Sequence, residues 1–282
     1  MNILVTGSGG FVGSNVCKHL IKKDNSVIGI YNKNKNDIAH KKIKLDLCKE
    51  LDSHKIKKFF SNKRIDIIIH LAAELADKKN ILDFKLFHNN IKITKNVIKI
   101  ANHLKPKKFI NFSSMAVYPN DVNGSFDEKY KFSLNSNSDF LYGLSKYCSE
   151  ILFEKLINKY NKINLIHLRI SQIYGKGMDK TRVIPAMKKE LKSKNSITVF
   201  GEGIRTSNFI HIEKLLIYLD LILKRKMNGI YNIGDQNISY LNLAKKIIKD
   251  EGNGKSVIIK VKKGSRGKFI LNTNKFDKVL NK

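Results

Sequence analysis

The chain has 282 residues, 42% of them hydrophobic, with 54 Lys+Arg against 24 Asp+Glu and a formal net charge of +30. That length can bury one large core or two unequal ones, and the composition suits a globular protein. No apolar run nears the roughly 20 residues that span a bilayer, and the chain opens directly on a strand-like run. These features predict no membrane partner, no signal peptide and a cytoplasmic protein. Cys17, Cys48 and Cys148 fall in no metal-ligand spacing, so no metal is expected. The charge would suit nucleic acid, yet only six of the 54 cations are arginine, and Lys, Asn and Ile are enriched along the whole chain. A bias toward AT-rich codons accounts for that pattern, so no specific nucleic-acid partner is expected.

In chain order, the apolar run Ile3–Val5 ends in Thr6, and Gly7, Gly10 and Gly13 lead into a helical segment, Phe11–Lys23. Gly7 permits a tight turn off the strand, Gly10 lets the backbone approach a pyrophosphate, and Gly13 lets the helix pack on the sheet. The helix N-terminus, with Phe11 and Val12 in its first turn, offers free N–H groups to phosphate. Further strands are predicted at Val27–Ile30, Ile43–Leu45, Ile65–Ile69, Phe109–Phe112 and Ile163–Leu168, with a polar turn at Asn32–Asn36. Helices are predicted between them at His54–Asn62, Asn89–His103 and Phe140–Asn161. This alternation argues an α/β fold with a Rossmann-type doubly wound parallel sheet.

After Arg169 the pattern is less regular. Glycine turns (Gly175, Gly177; Gly201, Gly203) surround a helix at Ile184–Lys194. A strand-and-helix pair at Phe209–Leu223, a strand at Ile230–Ile233 and a helix near Leu241–Lys249 follow. The expected organisation is a dinucleotide-binding domain over 1–170, to which 207–233 return, and a small C-terminal substrate-binding cap from 171–206 and 234–282.

Tyr142 and Lys146, in YGLSK, stand at i and i+4 near the start of a helix and so share one face. A nearby ammonium favours phenolate and brings tyrosine down from its usual pKa of about 10, making it a usable general acid or base.

Six motifs occur in one order: TGSGGFVG at Thr6–Gly13, HLAA at His70–Ala73, NFSSMAVYP at Asn111–Pro119, YGLSK at Tyr142–Lys146, LRISQIYG at Leu168–Gly175 and NFIHI at Asn208–Ile212. With these the chain resembles the extended short-chain dehydrogenase/reductase family of NAD(P)-dependent sugar-nucleotide epimerases, dehydratases and reductases. The resemblance implies that Ser114 hydrogen-bonds the substrate oxygen being oxidised or reduced. Tyr142 would transfer the proton, and Lys146 would bind the nicotinamide ribose and hold Tyr142 acidic. It also implies that Asp46 and Leu47 lie beside the adenine, that Leu71, Ala72 and Ala73 line the cofactor, and that Asn90 with Thr94 fills an NxxxT position. The two helices 89–103 and 140–161 match a pair that often forms a dimer interface in that family, which would make a homodimer.

The departures from the family pattern are as telling. Tyr31 stands at the end of the second strand, where an acidic residue usually meets the adenosine ribose, and Asn32, Lys33 and Lys35 follow. Loss of that carboxylate removes its repulsion of a 2′-phosphate and favours NADP over NAD. Where the family's 4,6-dehydratases carry Asp-Glu after the catalytic Ser/Thr, this chain has Met115-Ala116, which argues against dehydration. Ser207 replaces a diphosphate-binding arginine, leaving Arg205 and Arg266 as candidates for that role, and Gln172 replaces a substrate-binding asparagine. The expected activity is hydride transfer at a sugar carbon, at C4, of a nucleotide-activated sugar, by a 4-ketoreductase or a 4-epimerase. The alternative is a catalytically silent NAD(P)-binding regulator or scaffold, which would need none of Ser114, Tyr142 and Lys146.

Overall fold

The computed structural model of the chain describes residues 1–33, 38–61, 63–77, 79–131, 139–157 and 163–281. Most of the expected polar turn at 32–36, with Lys35, and the predicted helix ends at Asn62 and at 158–161 lie outside the described residues.

In chain order the elements are β1 (Asn2–Thr6), α1 (Phe11–Lys22), β2 (Ser26–Tyr31), β3 (Lys41–Lys44), α2 (Ser53–Phe60), β4 (Ile67–His70), α3 (Phe84–Leu104) and β5 (Lys108–Ser114). There follow β6 (Gly124–Phe126), α4 (Phe140–Leu156), β7 (Asn164–Ile170), β8 (Gln172–Tyr174), α5 (Val183–Lys194) and β9 (Ser196–Phe200). The chain continues with β10 (Thr206–His211), α6 (Ile212–Lys224), β11 (Gly229–Ile233), β12 (Gln236–Ser239) and α7 (Tyr240–Glu251). It ends with β13 (Val257–Val261), β14 (Phe269–Leu271) and α8 (Asn274–Leu280).

A seven-strand parallel sheet runs in the order β11-β7-β5-β4-β1-β2-β3. The step from β1 outward to β2 on one side and to β4 on the other puts the β1 end at the point where strand order reverses, the usual ligand crevice of such sheets. Strands buried on both faces read as continuous apolar runs, and β4 (IIIH) is buried throughout. Helices start where a side chain can satisfy an orphan N–H. Asp52 accepts from Lys55 N at 2.7 Å before α2, and Asp83 accepts from Lys85 N at 2.8 Å before α3. At the far side, Lys108 donates from a buried ammonium to the carbonyls of Ile222, Leu223 and Arg225 at 2.7, 2.7 and 2.9 Å. These are the last-turn acceptors of α6, where a cation is favoured.

The chain divides into two compact units. The first comprises Met1–Val117, Asp139–Arg169 and Leu216–Tyr231; its core joins Leu4, Ile30, Ile68, Val97, Phe109, Phe153 and Leu165. The second comprises Tyr118–Ser138, Ile170–Leu215 and Asn232–Lys282, with its own core around Ile184, Leu191, Ile197, Phe209 and Ala244. The sequence expectation gave 1–170 and a returning 207–233 to the first domain; here 216–231 lie in the first unit, while 118–131 and 207–215 lie in the second. Strand β10 is drawn into the second unit because it pairs with β8 on one side and β12 on the other. The second unit also contains β6, β8, β9, β12, β13 and β14, none of which the sequence reading assigned. Helix α3 begins five residues before the predicted start, at Phe84 rather than Asn89.

Candidate active site

The glycine turn separates two demands on glycine. Gly7 has φ +71°, and a Cβ there would lie 2.8 Å from Ala72 N. A Cβ on Gly13 would lie 2.1 Å from Gly7 O, so the helix can pack this closely only without one. Gly10 differs: its φ of −80° suits any residue, and a Cβ would meet only Gly7 O at 3.4 Å. The protein itself asks for no glycine at Gly10, which leaves the open space above it for a ligand. The first turn of α1 carries no side-chain cap and no acidic residue, so its N–H groups suit a phosphate. Leu71, Ala72 and Ala73 are half-buried and follow β4, with the backbone of Leu71–Ala72 packed against Gly7.

Tyr31 closes β2 beside this turn, where Ser8 N donates to Ile30 O at 3.0 Å. Lys33 is exposed two residues on. Asp46 accepts from Cys48 N at 3.0 Å in a local turn, and Leu47 is buried in the first unit's core.

Ser114 ends β5, and α4 packs against β5 and the following 3₁₀ turn, Met115–Val117. Ser114 and the helix that carries Tyr142 and Lys146 thus belong to neighbouring elements. Ser114 Oγ accepts from Ala116 N at 3.1 Å, which leaves its proton to donate elsewhere. Tyr142 is half-buried, whereas Lys146 is only 5% exposed. Burial pushes the Lys146 ammonium down to about 8, against the opposing pull of the Glu150 carboxylate.

A polar ladder fixes α4 against α3. Asn90 Nδ2 donates to Ser145 Oγ at 3.1 Å, and Thr94 Oγ1 meets Ser149 Oγ at 2.7 Å. Ser145 Oγ donates to Tyr142 O at 2.7 Å, tying the ladder to the tyrosine's own turn. Asn90 also accepts from Glu74 N at 2.8 Å and donates to Glu74 O at 3.0 Å. Its amide is thus committed to the protein, holding the loop after β4 rather than reaching toward a cofactor.

Four residues here carry no role in the sequence analysis. Thr6 Oγ1 accepts from Leu71 N and Ala72 N, both at 3.2 Å, so its own proton goes to His70 Nδ1, 2.7 Å away. His70 is therefore assigned the Nε2–H tautomer. Burial, and next the Lys146 charge, hold its pKa well below the usual histidine range. The other two are Glu150 and Arg169, each 3% exposed, which form a two-pronged ion pair with Nη2–Oε2 at 2.8 Å and Nε–Oε1 at 3.1 Å. The legible signal is a carboxylate four residues after Lys146, on the same helix face.

In the second unit, Gln172 Nε2 donates to the buried Ser207 Oγ at 2.9 Å. Arg205 lies with its guanidinium 5.7 Å from the Tyr240 ring centre, and its buried Nε has no hydrogen-bond partner among the described residues. Arg266 pairs with Glu202 at 2.6 Å. The segments carrying the two arginines run side by side, with Thr206 N donating to Gly267 O at 3.0 Å. Among the described residues, no group of three or more His, Cys, Asp or Glu gathers as metal ligands would, and no helix is long and apolar enough to cross a membrane.

The pattern of the NAD dependent epimerase/dehydratase family matches residues 3–234. The chain belongs to that family. It is 32% identical over 266 residues to a dTDP-D-glucose 4,6-dehydratase of Dictyostelium discoideum, a match covering 87% of this chain and 61% of that protein. The chain thus spans less than two thirds of that relative's length. It is 29% identical to a putative UDP-glucose 4-epimerase of Methanocaldococcus jannaschii, over 97% of this chain and 90% of that protein. In fold it matches a UDP-N-acetylglucosamine 4-epimerase from Methanobrevibacter ruminantium M1, solved with UDP-N-acetylmuramic acid, at a TM-score of 0.83 and 23% identity over 99% of this chain and 91% of that one. The family consists of NAD-dependent sugar-nucleotide epimerases and dehydratases, and the α/β fold here is that of its Rossmann-type members.

Proposed function

We propose that the chain is a nicotinamide-dependent oxidoreductase or epimerase acting at a sugar carbon, C4, of a nucleotide-activated sugar. The observation that carries this reading is a buried Lys146 one turn from Tyr142 on a helix packed against the strand that ends in Ser114. An ammonium there stabilises negative charge on the tyrosine oxygen, so Tyr142 can take a proton from a sugar hydroxyl or return one to a ketone. Ser114 donates to the same substrate oxygen, and Lys146 holds the ribose of the cofactor. The nicotinamide, when bound, supplies or accepts the hydride. Gly10, with the turn from Gly7 to Gly13, holds the pyrophosphate, and Arg205, Arg266 and Gln172 hold the sugar nucleotide.

Dehydration is set aside although the Dictyostelium relative carries that name. The two positions after Ser114 are Met115 and Ala116, neither able to move a proton. Epimerisation or ketone reduction remains. At the adenosine end, Tyr31 offers no carboxylate to repel a 2′-phosphate, which supports use of NADP alongside NAD.

The test incubates the full chain with a panel of nucleotide sugars and their keto forms, following nicotinamide absorbance and product identity. Net oxidation of NAD(P)H marks a reductase, and an epimer formed with no net change marks an epimerase. Tyr142→Phe should cut kcat by about two to four orders of magnitude while leaving the cofactor Kd unchanged. Near-full activity in that variant overturns the mechanism. Tyr31→Asp should move the affinity ratio toward NAD, and an unmoved ratio overturns the 2′-phosphate argument.

A further inference from the structure

The buried ion pair behind Lys146 does more than join two elements. Glu150 lies one helical turn past Lys146 on α4. Its carboxylate is gripped by the Arg169 guanidinium from β7 and accepts from Ser113 Oγ on β5 at 2.5 Å. Ser113 immediately precedes Ser114. Three elements that carry or flank the reacting groups therefore converge on one carboxylate.

We propose that Glu150 is a positioning residue for Lys146: its carboxylate, pinned by Arg169 and Ser113, is the fixed negative charge that keeps the buried ammonium protonated and in place. The inference rests on the reading that Lys146 serves Tyr142. A buried ammonium without a counter-charge loses its proton. The neutral His70 faces Lys146 from β4, Tyr142 and Glu150 share its helix, and Arg169 stands behind Glu150 from β7. From α3 come the uncharged Asn90 and Thr94. Burial alone drives Lys146 toward the amine, and the Glu150 charge opposes it. Arg169 and Ser113 take up carboxylate oxygens that a mobile glutamate would swing toward the lysine. Glu150 thus acts by its field from a fixed place, leaving the Lys146 N–H groups for a ligand.

The test titrates Lys146 in the full chain labelled with ¹³C-lysine, its resonance identified by its loss in Lys146→Met. Glu150→Gln should lower the Lys146 midpoint by about one pH unit or more, since it removes the carboxylate and leaves the Arg169 charge unbalanced. Glu150→Asp, which keeps the charge, should restore the midpoint to within about half a unit. If Glu150→Gln does not fold, the double variant Glu150→Gln with Arg169→Gln leaves no unpaired buried guanidinium and should still lower the midpoint. An unmoved midpoint in the folded charge-free variant, single or double, overturns the proposal. So does an equal fall in Glu150→Asp. The measurement needs neither substrate nor cofactor, so the proposed function and this proposal can fail separately.

Discussion

In the first unit, the polar groups around Tyr142 and Lys146 are buried and committed: Asn90 to Glu74 and Ser145, Thr94 to Ser149, Glu150 to Arg169 and Ser113. In the second unit, Arg266 is half-exposed and bound to Glu202, a non-glycine residue at φ +58° between two glycines that also have positive φ. The contrast concerns when the ordering free energy is spent. Groups fixed by buried bonds are aligned before any ligand arrives, so nothing needs reorganising at the moment of reaction. An exposed ion pair contributes only about 0–1 kcal/mol and can exchange one anion for another. The proposed chemistry draws on the fixed region, and the proposed choice of substrate on the exchangeable one.

The largest effect should come from breaking the fixed region at its glycines. Gly13→Ala drives a Cβ into Gly7 O, and Gly7 is itself confined, since even a Cβ there would meet the backbone of Leu71–Ala72. We expect a loss of about 3 kcal/mol or more, beyond ordinary overpacking, or no folding at all. Gly10→Ala meets no such obstacle and should hold or gain stability, by up to about 1 kcal/mol. Its cofactor affinity should nonetheless fall at least tenfold. Urea unfolding and NAD(P) titration of the two variants decide the matter. A Gly10→Ala protein that binds as tightly as the parent would show that the turn is no phosphate cradle.

These two regions also mark how far the sequence could be read. The first unit was legible because its strands are continuous apolar runs such as IIIH and NLIHLRI, and each is followed by a periodic helix. The start of α3 was missed for want of reading Asp83 as a cap. In the second unit, β6, β8 and β14 have only three residues, and β14 pairs with β6 across more than 140 positions. No local pattern can announce such a pairing, since the contact partner is remote in sequence. Strands β9 and β13 (SITVF and VIIKV) did carry a β-branched signal, overlooked amid the flanking lysines. The motifs single out Ser114, Tyr142 and Lys146 as candidates. The ladder from Asn90 and the Glu150–Arg169 pair were hidden, because a buried partner is fixed by tertiary packing and not by spacing.

A smaller effect should sharpen the exchangeable side. Arg266→Ala should raise KM for the nucleotide sugar about tenfold, the value of one charge-assisted contact to an anion, and leave kcat within about twofold. Glu202→Gln should do the reverse, since it removes the anion that competes with a diphosphate for Arg266. Both effects should shrink as salt rises, because the pair is open to solvent. Isothermal titration with a nucleoside diphosphate at low and high salt reads them directly. Unchanged affinity in both variants would remove Arg266 from the substrate site and leave Arg205, whose buried Nε has no partner among the described residues, as the remaining arginine candidate.

The smallest effect tests how rigidly the fixed region holds its protonation states. His70 is enclosed among Phe109, Phe153 and Thr6, and both burial and the Lys146 charge oppose its protonation. The sign follows from linkage. With the folded pKa far below the unfolded one, only the unfolded chain takes up this proton as pH falls. Stability is therefore intact above about pH 6.5 and declines below it by up to about 1.4 kcal/mol per pH unit from this residue. His70→Gln can still accept from Thr6 but cannot titrate. It should be less stable than the parent at pH 8, through poorer packing, and should close that gap as pH falls toward 5. Unfolding free energies from urea at pH 5, 6, 7 and 8 supply the comparison. A gap that stays constant with pH would mean that His70 takes up its proton in the folded chain. The buried surroundings of His70, with Thr6 and the two phenylalanine rings, would then be more open to water than their geometry implies.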